Sequence, residues 1–224
     1  MPRGKQPRGL CQLCGHETTR AAMARHLESC PRRTALIAQS THPPETLLHL
    51  RVQEAWRGAF WLDLEVRGSA TLKDIDTYLR AIWLECCGHL SRFSLGERSG
   101  AELGMGRRVG AAFAPGVSLM HIYDFGTSSE TRLTCVGQRA GAPLSPHPIA
   151  LLTRNIMPAE ACVECGRPAT HVCMACLFEE SEWACRCAEH SASHNHDDYG
   201  EPLELVNSPR LGMCGYTGPA EPPY

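Results

Sequence analysis

Residues 60–83, FWLDLEVRGSATLKDIDTYLRAIW, decide the fold class because they change from the period of a strand to the period of a helix. Apolar residues recur at every second position from Phe60 to Val66, as on a half-buried strand. From Leu72 to Trp83 they recur at helical spacing, and Thr71 followed by Asp74 is typical of a helix-capping box. This stretch therefore predicts a strand followed directly by an amphipathic helix.

Similar patterns extend outward from this stretch across residues 45–156. Alternating apolar residues predict a further strand at 48–52. We also expect strands at 119–123, where Leu119, Ile122 and Tyr123 are apolar, and at 132–136. Gly88 stands where a helix-terminating glycine is expected, and the six glycines of residues 96–116 predict a long flexible loop. We expect an α+β fold with a central mixed sheet and one main helix, flanked by small zinc-stabilised modules.

Three stretches of this middle segment, FWLDLEV, TLKDIDTYLRAIWLECCGHLSRFSL and LMHIYDFGTSSETRLTCV, resemble the plasmid pRiA4b ORF-three-like family. That family also occurs as an accessory reading frame of some insertion sequences. The likeness spans roughly residues 45–140 and, more loosely, the ending from Asn207 to Tyr216. Members usually follow Tyr-Asp-Phe-Gly with an acidic residue and a tryptophan, whereas this chain has Thr127–Glu130. The resemblance implies an α+β fold, a bacterial source and no defined activity.

Composition places the chain among soluble globular proteins. It has 224 residues, of which 43% are hydrophobic and 21% charged. No apolar run reaches the roughly 18 residues that span a bilayer, and the polar, basic N-terminus has no secretory signal pattern. We therefore expect a cytoplasmic protein without membrane contact. Its oligomeric state is not predicted.

The thirteen cysteines predict metal sites rather than disulfides, because six of them form three Cys-x-x-Cys pairs with histidines nearby. The first set lies in residues 1–33. Two thiols from a tight turn precede a histidine and a cysteine four residues apart, which a helix presents on one face. The expected zinc ligands of this finger are Cys11, Cys14, His26 and Cys30.

A second set lies in residues 158–200 and suits two further ions, which makes about three zinc ions in total. Its ligand order resembles a B-box cross-brace. That resemblance assigns Cys162, Cys165, Cys187 and His190 to one ion, and Cys173, Cys176, His194 and His196 to the other. Other residues are alternates: Cys185 in place of Cys187, and more weakly His171, Asp197, Asp198 and Cys214.

The ends of the chain carry opposite charge. Residues 1–33 have a formal charge of +5, residues 34–157 of +1 and residues 158–224 of −8. The basic end is a candidate contact for nucleic acid, or for an acidic protein surface. The candidate phosphate contacts are Arg3, Lys5, Arg8, Arg20, Arg25, Arg32 and Arg33. We expect a linker at 34–44, directly after the first zinc segment. We also expect a Pro/Gly-rich tail at 201–224, directly after the second.

Our leading hypothesis is a non-enzymatic zinc-binding adaptor with a protein partner, accessory to a mobile element or a nucleic-acid-associated complex. One alternative is an enzyme or nucleotide-handling protein whose site lies in the middle segment, near His89, Arg92, His121 or Asp124. We expect His89 and His121 to be core histidines instead, and we expect the remaining cysteines to be buried small residues. Those cysteines are Cys86, Cys87 and Cys135. The other alternative is a DNA-binding regulator that uses the finger.

Overall fold

The structure is a computed structural model that describes residues 7–85, 87–179, 185–194, 200–210 and 218–224. Nine strands of this part form the main sheet: β1 (Arg8–Cys11), β2 (Glu17–Thr19), β3 (Glu45–Glu54), β4 (Trp61–Arg67), β5 (Ser91–Leu95), β6 (Glu102–Leu103), β7 (Ser118–Tyr123), β8 (Ser129–Gly141) and β9 (Ile149–Asn155). Their order across the sheet is β2-β1-β9-β4-β3-β8-β7-β5-β6.

Short helices and a second, three-stranded sheet complete the described structure. The helices are α1 (Arg20–Ser29), α2 (Pro31–Gln39), α3 (Leu72–Ile82), α4 (Val109–Ala112), α5 (Met174–Glu179) and α6 (Ala188–Ala192). The small sheet has the order β11-β10-β12, with β10 (His171–Val172), β11 (Cys185–Arg186) and β12 (Leu203–Glu204). None of the described helices is long and apolar enough to span a membrane.

The α+β class is confirmed, but the expected mixed sheet is wrong. Every neighbouring strand pair in the described residues is antiparallel. A parallel pair needs a crossover connection, and α3, the longest of the described helices, joins strands that are not neighbours in the sheet. Sheet therefore dominates the architecture.

The capping box of α3 is present as expected. The Thr71 backbone N–H donates to the Asp74 carboxylate at 2.7 Å, and the Asp74 N–H donates to Thr71 Oγ1 at 3.3 Å. The helix ends earlier than Gly88, however. Leu84 adopts the left-handed conformation after the last turn, with φ of 59°, because its buried side chain belongs to the core.

The expected flexible loop at 96–116 is in fact ordered by the core. It contains β6 and α4, and Leu103, Val109 and Phe113 are buried in the main hydrophobic cluster. Glycine content indicated flexibility, but the apolar residues between the glycines determine the conformation through burial.

Strand β4 is buried on both faces, unlike the half-buried strand that the alternation predicted. Leu62 and Leu64 belong to the main core beside α3. On the opposite face, Trp61 packs against Met23 and Leu27 of helix α1. The N-terminal segment therefore forms part of the main fold, and it covers a sheet face that would otherwise meet water.

Backbone pairing joins the N-terminal segment to the same sheet. Strand β1 pairs with both β2 and β9, so a hairpin of this segment extends the sheet at one edge. The expected linker at 34–44 is partly helical, since α2 runs from Pro31 to Gln39. Proline at the first helical position favours this start.

The expected tail also returns to the main domain. The Ser208 hydroxyl donates to the Trp83 carbonyl oxygen at 2.7 Å, and the Asn155 amide donates to Asn207 Oδ1 at 2.7 Å. Arg210 is buried and donates to the Asp124 carboxylate at 2.8 Å. The segment between β9 and Asn207 is consequently anchored to the main sheet at both ends.

Candidate metal centres

The N-terminal centre brings together Cys11, Cys14, His26 and Cys30, whose ligand atoms all lie within 4.8 Å of one another. Cys11 ends β1, and Cys14 lies in a turn that Gly15 closes in a left-handed conformation with φ of 75°. His26 lies on α1, and Cys30 caps the end of that helix. Thr19 caps the start of α1 by accepting a hydrogen bond from the Ala22 N–H.

Burial distinguishes the ligands of this centre. Cys11 and Cys30 are buried with Met23 and Leu27 against Trp61, whereas Cys14 is exposed. Desolvation raises the pKa of the Cys11 thiol to about 11. Burial also lowers the pKa of His26, with a further contribution from the nearby His16. A neutral imidazole is the form that binds a metal ion.

The first C-terminal centre contains Cys162, Cys165, Cys187 and His190, again with all ligand atoms within 4.8 Å. His190 Nδ1 lies 3.3 Å from Cys162 Sγ and 3.6 Å from Cys187 Sγ, and the sulfurs of Cys165 and Cys187 are 3.9 Å apart. Cys187 caps the start of α6, which carries His190. The segment with Cys162 and Cys165 therefore meets the segment with Cys187 and His190, and their ligand atoms are close enough to bind one metal ion.

The second C-terminal centre contains Cys173, Cys176 and His194. Cys176 Sγ lies 3.3 Å from His194 Nε2. The fourth expected ligand, His196, lies outside the described residues. Among the described residues, the two centres take their ligands alternately along the chain, from Cys162 and Cys165 to His194. The B-box resemblance implies this order.

The structure places two of the alternative metal ligands, Cys185 and His171, outside the three clusters. Cys185 is buried with Val172 and Met174, away from the three clusters, and burial raises its pKa to about 11. The His171 ring contacts Thr170 Oγ1 at 2.8 Å, on strand β10, and belongs to none of the clusters. The other alternates, Asp197, Asp198 and Cys214, lie outside the described residues.

Two arginines, which sequence reasoning missed, approach the thiols of the C-terminal centres. Arg167 Nε donates to Cys165 Sγ at 3.3 Å, and Arg167 Nη2 donates to Cys187 Sγ at 3.6 Å. Arg186 Nη1 lies 3.8 Å from Cys176 Sγ. Their positions in the sequence could have revealed them. Arg167 lies two residues after Cys165, and Arg186 directly precedes Cys187.

Glu164 connects the two C-terminal centres. It accepts a hydrogen bond from Arg186 Nε at 2.9 Å and lies 3.9 Å from His190 Nε2. A carboxylate behind a ligating imidazole fixes the ring orientation and raises ligand basicity. The Arg186 guanidinium reaches from this carboxylate to a thiol of the second centre, so the two centres share one polar network.

Local hydrogen bonding also favours ionised thiols in the first C-terminal centre. Burial opposes ionisation of Cys162, but hydrogen bonds from the Cys187 backbone and the His190 side chain lower its pKa to about 5. The Arg167 side chain and backbone lower the pKa of Cys165. Thiolates are the metal-binding form of cysteine, so this environment suits a cation.

The basic residues of the N-terminal segment divide into two groups. Arg20 donates to the Gly58 carbonyl oxygen at 2.6 Å, and Arg33 donates to Glu65 at 3.2 Å, so both serve internal contacts. Arg8 pairs with Glu17 at the surface. Arg25 and Arg32 are exposed, whereas Arg3 and Lys5 lie outside the described residues.

The middle-domain candidates separate into a buried and an exposed set. His121 is buried, as expected of a core histidine, and its Nε2 lies 2.9 Å from Asp76 Oδ1. The expectation of a core histidine is wrong for His89, whose side chain is 42% exposed and lies 3.8 Å from Asp124. Arg92 lies over the Phe125 ring and does not join either set.

The cysteines of the middle segment also differ from one another. Cys135 is buried, as expected, whereas Cys87 is exposed and the expectation of a buried residue is wrong for it. Cys86 lies outside the described residues. All eleven described cysteines are free of disulfides.

Comparisons with known proteins assign no family to this chain. No protein-family model matches it, and no curated protein matches it at a significant level. A solved structure from Methanosarcina mazei Go1, described as a protein of unknown function, is similar with a TM-score of 0.40 and 15% sequence identity. The match covers 46% of this chain and 66% of the archaeal chain, slightly under two thirds of its length.

Proposed function

We propose that this protein is a zinc-binding interaction protein in which three structural zinc ions stabilise the modules that contact its partners. The observation that carries the proposal is the convergence of three Cys/His clusters, each with its ligand atoms within 4.8 Å. Zinc with sulfur ligands at about 2.3 Å has tetrahedral edges of about 3.8 Å between sulfurs. The distance of 3.9 Å between the sulfurs of Cys165 and Cys187 fits such an edge.

The ligand types favour zinc in a structural role. Thiolates and imidazoles together select zinc over magnesium or calcium, which take oxygen ligands. A catalytic zinc retains an open position and has three protein ligands, whereas the N-terminal and first C-terminal centres each have four. These two sets therefore support structure rather than hydrolysis.

The charge distribution supports contacts with more than one partner. The basic N-terminal segment suits a polyanion or an acidic protein surface, and the acidic C-terminal part, with a formal charge of −8, suits a basic surface. We propose a protein partner at the C-terminal module. The resemblance to an accessory reading frame of insertion sequences supports a complex associated with a mobile element, in a cytoplasmic setting.

Metal analysis with two matched variants tests the zinc proposal. Protein purified without added metal should contain about three zinc ions per chain by elemental mass spectrometry. Cys187→Ala should lose about one ion, whereas Cys185→Ala, two positions away, should retain all three because Cys185 packs in the core. One ion or fewer in the unmodified chain, or equal loss in both variants, would refute the assignment.

A further inference from the structure

A cavity of about 210 Å³ lies where the N-terminal finger meets the main sheet. Helix α1 contributes Glu28 to its lining, and α2 contributes Arg33. The sheet contributes His49 from β3, Glu65 from β4 and Arg139 from β8. The cavity is separate from the three metal centres, because none of their described ligands lines it.

A β-bulge in the sheet forms one wall of this cavity. The pairing of β3 with β8 shifts register between His49 and Leu50, and Val136 is the extra residue of β8 at this point. Its side chain is 42% exposed and lines the cavity. Bulges redirect side chains and are over-represented next to active sites. The bulge therefore adds an exposed apolar side chain to a cavity that is otherwise rich in charged groups.

Two guanidinium groups of the cavity share one carboxylate. Arg139 Nη2 donates to Oε2 of the buried Glu65 at 2.9 Å, and Arg33 Nη2 donates to the same oxygen at 3.2 Å. The Leu144 N–H donates to the other oxygen at 3.0 Å. Arg33 Nε is buried and has no hydrogen-bond partner among the described residues. A buried donor without an acceptor is costly, and an anionic group of a ligand would supply both the acceptor and the missing negative charge.

His49 offers the cavity a hydrogen-bond acceptor. Its Nε2 lies 3.0 Å from Oδ1 of the buried Asp63, whose carboxylate also accepts a hydrogen bond from Arg51 at 3.0 Å. Burial opposes ionisation of Asp63, but the hydrogen bonds from His49 and Arg51 lower its pKa, so the ionised carboxylate only accepts. Nε2 therefore carries the proton of the neutral imidazole. Nδ1 remains as an acceptor that no described residue engages.

Glu28 brings a negative charge to the rim of the cavity. It is exposed and forms no ion pair with a described residue, and Ala24, one turn earlier on α1, lines the cavity as well. The Glu28 carboxylate and His49 Nδ1 both accept hydrogen bonds and so favour a cationic donor. Arg33 and Arg139 favour an anion. A ligand that carries both charges therefore fits the cavity better than a simple anion or cation.

We propose that this cavity binds a free α-amino acid. Arg33 and Arg139 bind its carboxylate, whereas Glu28 and His49 Nδ1 accept hydrogen bonds from its ammonium group. The zwitterion is neutral overall, which matches a lining in which two arginines are balanced by two glutamates. Because the ligand contacts both the finger and the sheet, its binding stabilises their association. This small-molecule site goes beyond the partner contacts proposed above.

Calorimetric titration of the full, metal-loaded chain with each of the standard amino acids tests the proposal. We expect at least one of them to bind with a Kd of about 1 mM or lower, which ligands of this size can reach. The N-acetyl derivative of that amino acid lacks the positive charge, and its amide lacks the negative charge. Each derivative should bind at least about tenfold more weakly, because each loses a charge-assisted hydrogen bond.

Three variants test the assigned contacts. Arg33→Lys retains the charge but removes Nε, so the affinity should fall at least about tenfold. Glu28→Gln removes an exposed charge, so the affinity should fall about threefold. Glu97→Gln removes an exposed carboxylate outside the cavity and should leave the affinity unchanged. Circular dichroism checks the folding of each variant, and Glu28→Gln provides the test if Arg33→Lys does not fold.

Three results would overturn the proposal. The first is no binding of any amino acid at about 10 mM, tenfold above the expected limit. The second is equal affinity for the amino acid and either derivative. The third is unchanged affinity in every folded variant at Arg33 or Glu28. Zinc is measured in the same samples, so a chain with its full zinc content that binds no amino acid refutes this site and leaves the zinc proposal intact.

Discussion

Gly9 determines how closely the N-terminal strand approaches Trp61. A β-carbon at position 9 would lie 2.5 Å from the indole ring and 2.8 Å from the Arg154 carbonyl oxygen. Contacts this short require the strand or the buried indole to move. The absence of a β-carbon at this position therefore allows β1 to pair with β9 while Trp61 packs against Met23 and Leu27 of the finger.

We predict that Gly9→Ala lowers the free energy of unfolding by about 1–3 kcal/mol, the usual cost of overpacking. Gly137→Ala is the matched control, because a β-carbon there meets nothing within 4 Å and the residue also lies in a strand of the main sheet. Urea unfolding monitored by tryptophan fluorescence measures both. Equal stability of the two variants would contradict the close approach.

The buried carboxylate of Asp76 contributes to stability in a way that depends on pH. Burial opposes its ionisation, but hydrogen bonds from His121, Ser91 and Arg80 lower its pKa to about 2. Because the folded pKa lies below the unfolded one, ionised Asp76 stabilises the fold above about pH 4. That stabilisation is lost as the pH falls towards 2.

We therefore predict that the stability difference between the unmodified chain and Asp76→Asn depends on pH. Linkage assigns about 2.5 kcal/mol to the pKa shift at pH 7 and close to half of that at pH 3. Denaturant titrations of both proteins at the two pH values measure the difference, and metal loss in acid affects both alike. A difference that stays constant between pH 7 and pH 3 would rule out this contribution.

At the scale of elements, the N-terminal finger and the main sheet share one core. Trp61 lies between Met23 and Leu27 of the finger and Leu152 of β9. Beside it, Arg51 donates to the buried Asp63 and also to the Arg20 carbonyl oxygen, both at 3.0 Å. These contacts couple helix α1 to the sheet, so the expected linker at 34–44 does not isolate α1 from it.

We predict that Cys14→Ser destabilises the whole sheet rather than the finger alone. Loss of the metal should release α1 from Trp61 and reduce the free energy of unfolding by about 2 kcal/mol or more. Tryptophan fluorescence and far-ultraviolet circular dichroism should shift together in a single transition. Cys14→His, which retains a metal ligand, should recover most of the loss, and an unchanged sheet transition in Cys14→Ser would show independent units.

At the scale of the whole molecule, opposite charges are concentrated at the two ends of the chain. The internal contacts of Arg20 and Arg33 reduce the set of basic residues available to a polyanion. Two exposed arginines remain available, Arg25 on helix α1 and Arg32 on helix α2. Any nucleic-acid binding should therefore be weak, nearly independent of sequence and opposed by the acidic C-terminal part.

We predict a slope of about −2 to −4 for the logarithm of duplex-DNA affinity against the logarithm of salt concentration in the full chain. Replacing Arg25 and Arg32 together by glutamine should reduce its magnitude by about 2. Glutamine at Arg107 and Arg108, an exposed pair outside the finger, is the control. Fluorescence titrations at several salt concentrations measure the slopes, and absence of binding at low salt would exclude a nucleic-acid role.

The sequence by itself determined the features that are local in the chain. The Cys-x-x-Cys pairs, the helical spacing of His26 and Cys30, and the capping box of α3 each depend on residues within one or two turns. The recurrence of apolar residues at every second position likewise predicted strands β3 and β4. The chemistry of a tetrahedral site requires particular ligand types at short spacing, so the composition of the candidate metal centres was predictable.

Only the tertiary structure decided how distant segments meet. It placed Cys187 rather than Cys185 beside Cys165, packed Trp61 against the finger and inserted Arg210 beside Asp124. It also left Cys87 exposed. These outcomes depend on strand register and on the path of the chain over 22 residues from Cys165 to Cys187 and over 86 residues from Asp124 to Arg210. Local propensity and spacing carry no information at that range, because burial and shape complementarity of the whole core select the arrangement.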